Sequence, residues 1–237
     1  MKKGIAISCL ALLACATMLL ASPKHSNVTF SPDYKRVIAT GSSTHIIPNV
    51  EPPSDKKVIS GNLSSYPNGT YFCCFGYTIA GTGEGFPFEV WEAIAFTPAS
   101  NATVTGIKAA IGTFGGTAGF QLGLYTDDGG VPGTALKSFH ISNPPTYGTC
   151  CVVDSGRDGN GIPVTGGTQY WLVAKVGPND NDFEGGWNMN VTDQRVGEYT
   201  VASYCLGSST YCGSNSGKWT AGTNGDPGNA YAVVGTE

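Results

Sequence analysis

The sequence predicts an all-β protein, an antiparallel β-sandwich of the jelly-roll type with about ten strands and disulfide support. Short apolar runs recur along the chain, and each ends at a turn signal such as Gly112 or the Asp-Asp-Gly-Gly segment at 127–130. Within 120–125, Phe and Leu residues alternate with Gln, Gly and Tyr. A period of two directs one set of side chains into a core and the other towards water. No helical apolar period persists for three turns within 58–237.

The other strands follow from β-branched and aromatic residues bounded by Gly, Pro and Asn. They are predicted at 70–80, 88–96, 104–111, 134–141, 149–153, 168–176, 197–206 and 229–235. The stretch 168–176 is the clearest of them. Its period of two places Tyr170, Leu172, Ala174 and Val176 on one face and Trp171, Val173 and Lys175 on the other.

Composition limits the classes of partner. The chain has 237 residues, of which 34 are Gly, 14 are Pro and only 13% are charged, and its formal net charge is −4. Gly and Pro are dispersed between apolar runs, which is typical of turns in a folded domain. Because no basic stripe is present to neutralise phosphates, we expect neither nucleic acid nor an anionic membrane surface as a partner.

The N-terminal 21 residues have the features of a secretory signal peptide, because Lys2 and Lys3 precede a mostly apolar stretch at 5–20. Secretion to the extracellular space is the favoured outcome. The alternative is a lipoprotein anchored through Cys15, since the segment 12–15 resembles a lipoprotein box.

The remainder divides into two parts. Residues 22–57 are rich in Ser, Pro, Thr, Asn and Lys and are predicted to form a flexible spacer, and residues 58–237 are predicted to form the sandwich domain. No second apolar stretch of membrane-spanning length follows the leader, so we expect no transmembrane span in the mature chain.

Six of the eight cysteines lie beyond the leader, and an even number in an exported chain favours disulfides. Cys205 and Cys212 flank a short, flexible segment and are predicted to form a bridge. The other four form the doublets Cys73, Cys74 and Cys150, Cys151. Their pairing stays open, either across the fold or within each doublet. Zinc is disfavoured because no Cys-x-x-Cys pair is present.

A polar loop provides the best candidate for a cation. Asn179, Asp180 and Asp182 are dense in oxygen ligands and precede Glu184. Calcium prefers six to eight oxygen ligands, so these residues are only weak calcium candidates. No other metal and no cofactor is expected.

Aromatic residues provide the best candidates for ligand contact. A flat indole ring covers the apolar face of a sugar, and Trp187 and Trp219 lie in Gly- and Asn-rich surroundings typical of exposed segments. Both are predicted to contact a glycan. Trp171 lies in the clearest strand and is predicted to be core.

Catalysis finds little support. His140 is the only histidine after residue 57, and no Gly-x-Ser-x-Gly elbow exists because Asn215 occupies the Ser position in 213–217. Glycoside cleavage needs two carboxylates about 5–10 Å apart. The available glutamates, Glu89, Glu92, Glu184 and Glu198, show no pairing in the sequence. We therefore expect no enzymatic activity.

Several segments in order carry a family resemblance. They are 96–107 (FTPASNATVTGI), 119–136 (GFQLGLYTDDGGVPGTAL), 167–176 (GTQYWLVAKV), the Trp-Asn segment at 186–188 and 230–236 (AYAVVGT). Together they resemble the bacterial secreted proteins called choice-of-anchor R domain proteins. The resemblance implies an exported β-sandwich without an assigned enzymatic activity. The chain departs from the family at its end, where Gly235, Thr236 and Glu237 replace an apolar anchor and a basic tail.

These observations lead to a first hypothesis and two alternatives. The first is a secreted, non-catalytic β-sandwich that binds a glycan or a cell-surface protein. The alternatives are a glycan-active hydrolase with a Glu pair and a purely structural component of the envelope or matrix. The sequence does not specify the ligand or the oligomeric state.

Overall fold

A computed structural model describes residues 27–39, 57–63, 71–83, 86–116, 119–149, 152–156, 159–190, 200–207, 209–222 and 228–237. The strands within these ranges are β1 Val28–Phe30, β2 Arg36–Ala39, β3 Lys57–Gly61, β4 Tyr71–Ala80, β5 Glu89–Phe96, β6 Ala102–Ala109, β7 Ile111–Gly115, β8 Phe120–Asp127, β9 Pro132–Ile141, β10 Val153–Asp154, β11 Ile162–Val164, β12 Tyr170–Lys175, β13 Glu184–Asn190, β14 Val201–Leu206, β15 Lys218–Gly222 and β16 Tyr231–Thr236. One short helix, α1 Ser209–Cys212, precedes a 3-10 turn at Gly213–Asn215.

The strands form two antiparallel sheets, which confirms the predicted sandwich. The large sheet has eleven strands, seven of them in the order β1-β2-β4-β5-β12-β8-β9. In addition, β13 pairs with β4 and β7 with β13, and β14 pairs with β5 and β15 with β14. The small sheet has five strands in the order β10-β6-β16-β3, with β11 also on β6. The strands predicted around 70–80, 88–96, 120–125 and 168–176 correspond to β4, β5, β8 and β12.

More strands are present than predicted, because the apolar run 104–111 is divided and because β1, β2, β3, β11, β13 and β15 lie outside the predicted strands. The run 104–111 ends one strand and begins another, since β6 belongs to the small sheet and β7 to the large sheet. The chain changes sheets at Ala110, which is fully buried. The N–H of Ala110 donates to the Ala230 carbonyl at 3.0 Å, and its carbonyl accepts from the Asn188 N–H at 2.8 Å. These bonds satisfy the backbone where the ladder is interrupted.

The core between the sheets follows the predicted period of two. Phe120, Leu122 and Leu124 of β8 are fully buried, as is Leu172 of β12, and all lie in the main cluster with residues of the small sheet. This confirms which face of 120–125 points inward and shows that the Leu172 face of 168–176 does so too.

The opposite face of the large sheet, here called the outer face, is less polar than the period suggests. Trp171 and Val173 are fully buried there and pack in a second cluster with Tyr125 and Ala93. Large rings are buried on this face because they lie over small neighbours. Tyr125 is an example, since a Cβ on Gly123 would fall 2.7 Å from its ring. The expectation that this face of β8 meets water is therefore wrong at Tyr125.

The structure also corrects the predicted spacer. Residues 28–39 form β1 and β2, and β2 pairs with β4 in the large sheet. Val37 is fully buried, and the Tyr34 ring contacts Phe86, Phe88 and Tyr211 with centroids 5.2–6.1 Å away. Polar flanks lower the average hydropathy of 22–57 and conceal these short apolar runs. The rest of the predicted spacer, 22–26 and 40–56, lies outside the described residues.

The predicted bridge between Cys205 and Cys212 is present, with the two Cα atoms 5.4 Å apart. It ties the end of β14 to α1. The predicted leader at 1–21, which includes Cys15, lies outside the described residues. The side chains of both cysteine doublets are also not described, so their pairing stays open. Within the described ranges, no helix combines the length and the apolar character needed to cross a bilayer.

Candidate ligand-binding site

The outer face of the large sheet carries a row of side chains from six different strands. Tyr204 of β14 lies opposite both Trp219 of β15 and Trp91 of β5. Lys175 of β12 falls beside Trp91, because Ala174 pairs with Glu92 one position away. Gln121 of β8 lies opposite both Lys175 and His140 of β9. In spatial order the outer row is Trp219, Tyr204, Trp91, Lys175, Gln121 and His140, a span of roughly 24 Å at the usual strand spacing.

Every member of the outer row is partly accessible. The first five are half-buried, and the His140 side chain is 48% exposed. The neighbouring row on the same face is smaller and contains Ala202, Ala93, Val173 and Gly123, which pair across the same strands. The outer row therefore stands above a low, closely packed floor.

Three aromatic rings form one end of the outer row. Trp91 and Tyr204 are stacked, with centroids 4.1 Å apart and an interplanar angle of 14°. The Trp219 ring is tilted by 57° against Tyr204 at 5.6 Å. Among the described strands, β15 pairs only with β14, so Trp219 lies at the end of the outer row.

The position of Trp91 is fixed from two sides. Its Nε1–H donates to Glu89 Oε1 at 2.6 Å. Burial is the largest influence on the Glu89 carboxyl and raises its pKa, although the bond from Trp91 and the charge of Lys175 oppose that shift. The Lys175 ammonium lies 5.3 Å from the Trp91 ring centroid. One face of Trp91 therefore meets Tyr204, and a cation also lies within cation–π range of the ring.

The other end of the outer row opens into a polar cleft of about 610 Å³. His140 Nε2 and Asp180 Oδ1 lie 3.0 Å apart at its wall. The loop after β12 reaches this place because residue 177 is glycine. A Cβ there would fall 2.5 Å from Asp180 Oδ2 and 3.4 Å from Gln121 Nε2. The close approach places Asp180 beside both Gln121 and His140.

The structure brings the three calcium candidates, Asn179, Asp180 and Asp182, to the lining of this cleft. In the described part of the chain, no three His, Cys, Asp or Glu side chains are grouped so that they could hold a metal ion. One carboxylate oxygen of Asp180 is already engaged by His140. A calcium ion would have to take most of its six to eight oxygens from amides, backbone and water. Calcium binding by this loop stays a prediction.

The two predicted glycan-contacting tryptophans are in different environments. Trp219 lies at the end of the outer row, whereas Trp187 is fully buried and its Nε1–H donates to the Ala230 carbonyl at 2.9 Å. The expectation that Trp187 contacts a ligand is therefore wrong. The adjacent glycines allow close packing and do not mark an exposed loop, since a Cβ on Gly186 would fall 2.5 Å from the Tyr147 ring.

The glutamates considered for hydrolysis do not form an accessible pair among the described residues. Glu92 and Glu184 are both fully buried, and Glu198 lies outside the described ranges. Burial raises the pKa of Glu92 well above its ordinary value, partly opposed by the Ser203 hydroxyl, which donates to Oε1 at 2.7 Å. Glu92 Oε2 has no hydrogen-bond partner in the described part of the chain. Neither buried carboxylate can reach a substrate in solution.

Tyr204, Lys175 and Gln121 were not predicted as site residues. Each looks unremarkable within its own strand, and the row exists only once strands distant in sequence are paired. The alternation within 168–176 placed Lys175 opposite the core face. It carried no information about which residues of other strands would lie beside it.

No protein-family model matches the chain, and no curated protein matches it. Two solved structures are distantly similar. One contains the cysteine protease and lectin-like domains of Cwp84, a surface layer associated protein of Clostridium difficile, with 16% identity and a TM-score of 0.37 over 79% of this chain and 37% of that chain. The other is a form of this clostridial cysteine protease after propeptide cleavage, with 16% identity and a TM-score of 0.38 over 79% of this chain and 42% of that chain. The chain thus spans less than half the length of each.

Proposed function

We propose that this protein is a secreted, non-catalytic binding module and that its outer row contacts a glycan. The observation that carries the proposal is the row itself, in which three half-exposed aromatic rings are followed by three hydrogen-bonding side chains, and beyond which no described strand pairs with β15. Sugars present apolar C–H faces and polar hydroxyl rims. An aromatic ring suits the first, and amide, imidazole and ammonium groups suit the second.

Two further observations support the proposal. The Cys205–Cys212 bridge is of the kind that forms and persists in oxidising, extracellular compartments. Glu92 and Glu184 are buried, which removes two of the four carboxylates that a hydrolase would have used. The motifs quoted above resemble those of choice-of-anchor R domain proteins. Membership of that family is part of the same proposal.

A glycan array tests the function. We expect the wild-type protein to bind a defined set of glycans, and Trp219→Ala and Gln121→Ala to weaken that binding on the order of tenfold, about 1.4 kcal/mol. Ile38→Ala is the matched control, because Ile38 is 43% exposed on β2 and is not part of the outer row. Circular dichroism verifies that each variant is folded. Absence of glycan binding, or binding that both row variants retain, would overturn the proposal.

The same array in a calcium chelator tests the role of the cleft. We expect binding to persist, because the groups of the outer row need no metal to contact a sugar. Loss of binding on chelation, with recovery on added calcium, would instead assign a cation to Asn179, Asp180 and Asp182.

A further inference from the structure

We infer that the ligand of the outer row is an anionic glycan, whose carboxylate or sulfate group binds Lys175. This inference rests on the proposed function and specifies the chemical class of its ligand. It follows from the position of Lys175, from the way its ammonium is held and from the charges along the row.

Lys175 is the only lysine or arginine of the outer row and lies in its centre, between the aromatic end and the polar cleft. No carboxylate of the described residues lies within 4.0 Å of its Nζ. Other lysines differ, since Lys57 lies 2.7 Å from Glu237 and Lys108 lies 3.7 Å from Asp154. Lys175 as a residue is partly buried, and burying charge without a partner of opposite charge is costly. The Lys175 ammonium can therefore pair with an incoming anion.

Two rings hold the ammonium in place without using its donors. Nζ lies 5.3 Å from the centroid of Trp91 and 5.8 Å from that of Tyr125. Such contacts cover the aliphatic stem and attract the positive charge, while the three N–H groups stay available for hydrogen bonds. Hydrogen bonds between ionised groups are shorter and stronger than neutral ones. The preordered ammonium can thus discriminate a charged sugar from a neutral one.

The neighbouring acids restrict where the anion can lie. The charge of Lys175 acts to lower the pKa of Glu89, whose carboxylate accepts a hydrogen bond from Trp91 at 2.6 Å. Asp180 lies at the far end, bonded to His140. Asp180 therefore repels a negative group from the cleft, and Lys175 is the cation of the row that attracts one, on the side of its ammonium away from Glu89. Since three strand spacings separate Lys175 from Trp219, roughly 14 Å, a neutral sugar at Trp219 would lie about two or three sugar units from the acidic one.

Paired polysaccharides provide the test. Polygalacturonate and its carboxyl-reduced form share a backbone and differ in the carboxylate, and dextran sulfate and dextran differ in the sulfate. We expect the wild type to bind at least one acidic member on the order of tenfold more tightly than its neutral partner. Lys175→Gln should abolish that preference without weakening neutral binding, and Lys175→Arg should retain it. Lys137→Gln on the exposed edge strand β9 is the control for general electrostatic attraction and should behave as the wild type.

The outcomes separate this inference from the function on which it rests. The anionic ligand is refuted if neutral and acidic members bind equally, or if Lys175→Gln weakens the binding of both equally. Lys175 then only positions Trp91, and glycan binding by the outer row stands. If Lys137→Gln abolishes the preference as well, attraction is general and the assignment to Lys175 is also refuted. If the wild type binds no glycan of any kind, both the inference and the proposed function fail.

Discussion

Tyr204 stacks on Trp91 across two paired strands, with ring centroids 4.1 Å apart and planes within 14° of parallel. The pair supports one end of the outer row, because Trp219 leans against both rings at 5.6 and 6.1 Å. An aromatic pair contributes about 0.5–1.5 kcal/mol beyond the area it buries. The stack therefore stabilises the fold and positions the exposed ring.

Removing one ring of the stack tests this role. We expect Tyr204→Ala to lower the free energy of unfolding by about 1–2 kcal/mol and to weaken ligand binding, because Trp219 loses its support. Tyr204→Phe keeps the ring and should match the wild type in urea denaturation and in binding. If Tyr204→Phe is as damaging as Tyr204→Ala, the hydroxyl is the important group and the stack is not.

The segment 28–39 offers a matched pair of substitutions on one strand. Val37 is fully buried and its neighbour Ile38 is 43% exposed. We expect Val37→Ala to lower the free energy of unfolding by about 1–3 kcal/mol, since it removes buried methyl groups. Ile38→Ala should change it by less than about 0.5 kcal/mol. Equal, negligible effects of both substitutions would mean that this segment does not belong to the folded unit.

The Cys205–Cys212 bridge closes a short loop, with a sequence separation of 7. Chain-entropy estimates for a loop of this size give about 2–3 kcal/mol of stabilisation. We therefore expect the double variant Cys205→Ser, Cys212→Ser to lose about that much in urea denaturation without reductant. Reduction of the wild type should lower the free energy of unfolding by a similar amount if Cys205–Cys212 is the disulfide that stabilises the protein most. A double variant as stable as the wild type would contradict the role assigned to the bridge.

Buried Glu92 predicts a specific pH dependence. Burial raises the pKa of its carboxyl in the folded protein above the ordinary value of 4.5. The folded state thus holds this proton more tightly than the unfolded chain, so the associated stability is fully present below 4.5 and is lost as pH rises through the folded-state pKa. We expect Glu92→Gln to flatten that decline and to be more stable than the wild type near neutral pH.

Ser203 provides the companion test for Glu92. Its hydroxyl bond to Oε1 favours the ionised carboxylate and opposes the effect of burial on the pKa. Ser203→Ala should therefore make the decline of stability with pH larger. Denaturation curves at several pH values measure both variants. Coincident slopes for the wild type and Glu92→Gln would show that Glu92 is not the group that titrates.

Much of the fold was predictable because alternation and turn residues act locally. The faces of 168–176 followed from a period of two, and the Cys205–Cys212 bridge followed from a short, flexible spacing. The crossing at Ala110 was not predictable, because nothing in a continuous apolar run marks where the chain leaves one sheet for another. The strands at 28–39 were concealed in the same way, because three or four apolar residues only become a strand when a partner such as β4 is present.

The candidate site was predictable only in part. Trp219 is partly exposed, as its surroundings indicated, and its contact with a glycan stays a prediction. The same reasoning failed at Trp187, where glycines make room for Tyr147 and do not expose the indole. The outer row depends on the register of six strands, and register is set by long-range pairing. A sequence read one segment at a time could not place Lys175 between Trp91 and Gln121.

The four indole N–H signals test the central claim directly. Trp171 and Trp187 are fully buried, with their Nε1–H groups donating to Asp127 at 2.7 Å and Ala230 at 2.9 Å, whereas Trp91 and Trp219 are half-exposed in the outer row. In a nuclear magnetic resonance titration with a bound glycan, assigned through single Trp→Phe variants, we expect the Trp219 and Trp91 signals to shift and those of Trp171 and Trp187 to stay. Saturable glycan binding that leaves the Trp219 and Trp91 signals unmoved would contradict the outer row as the binding site.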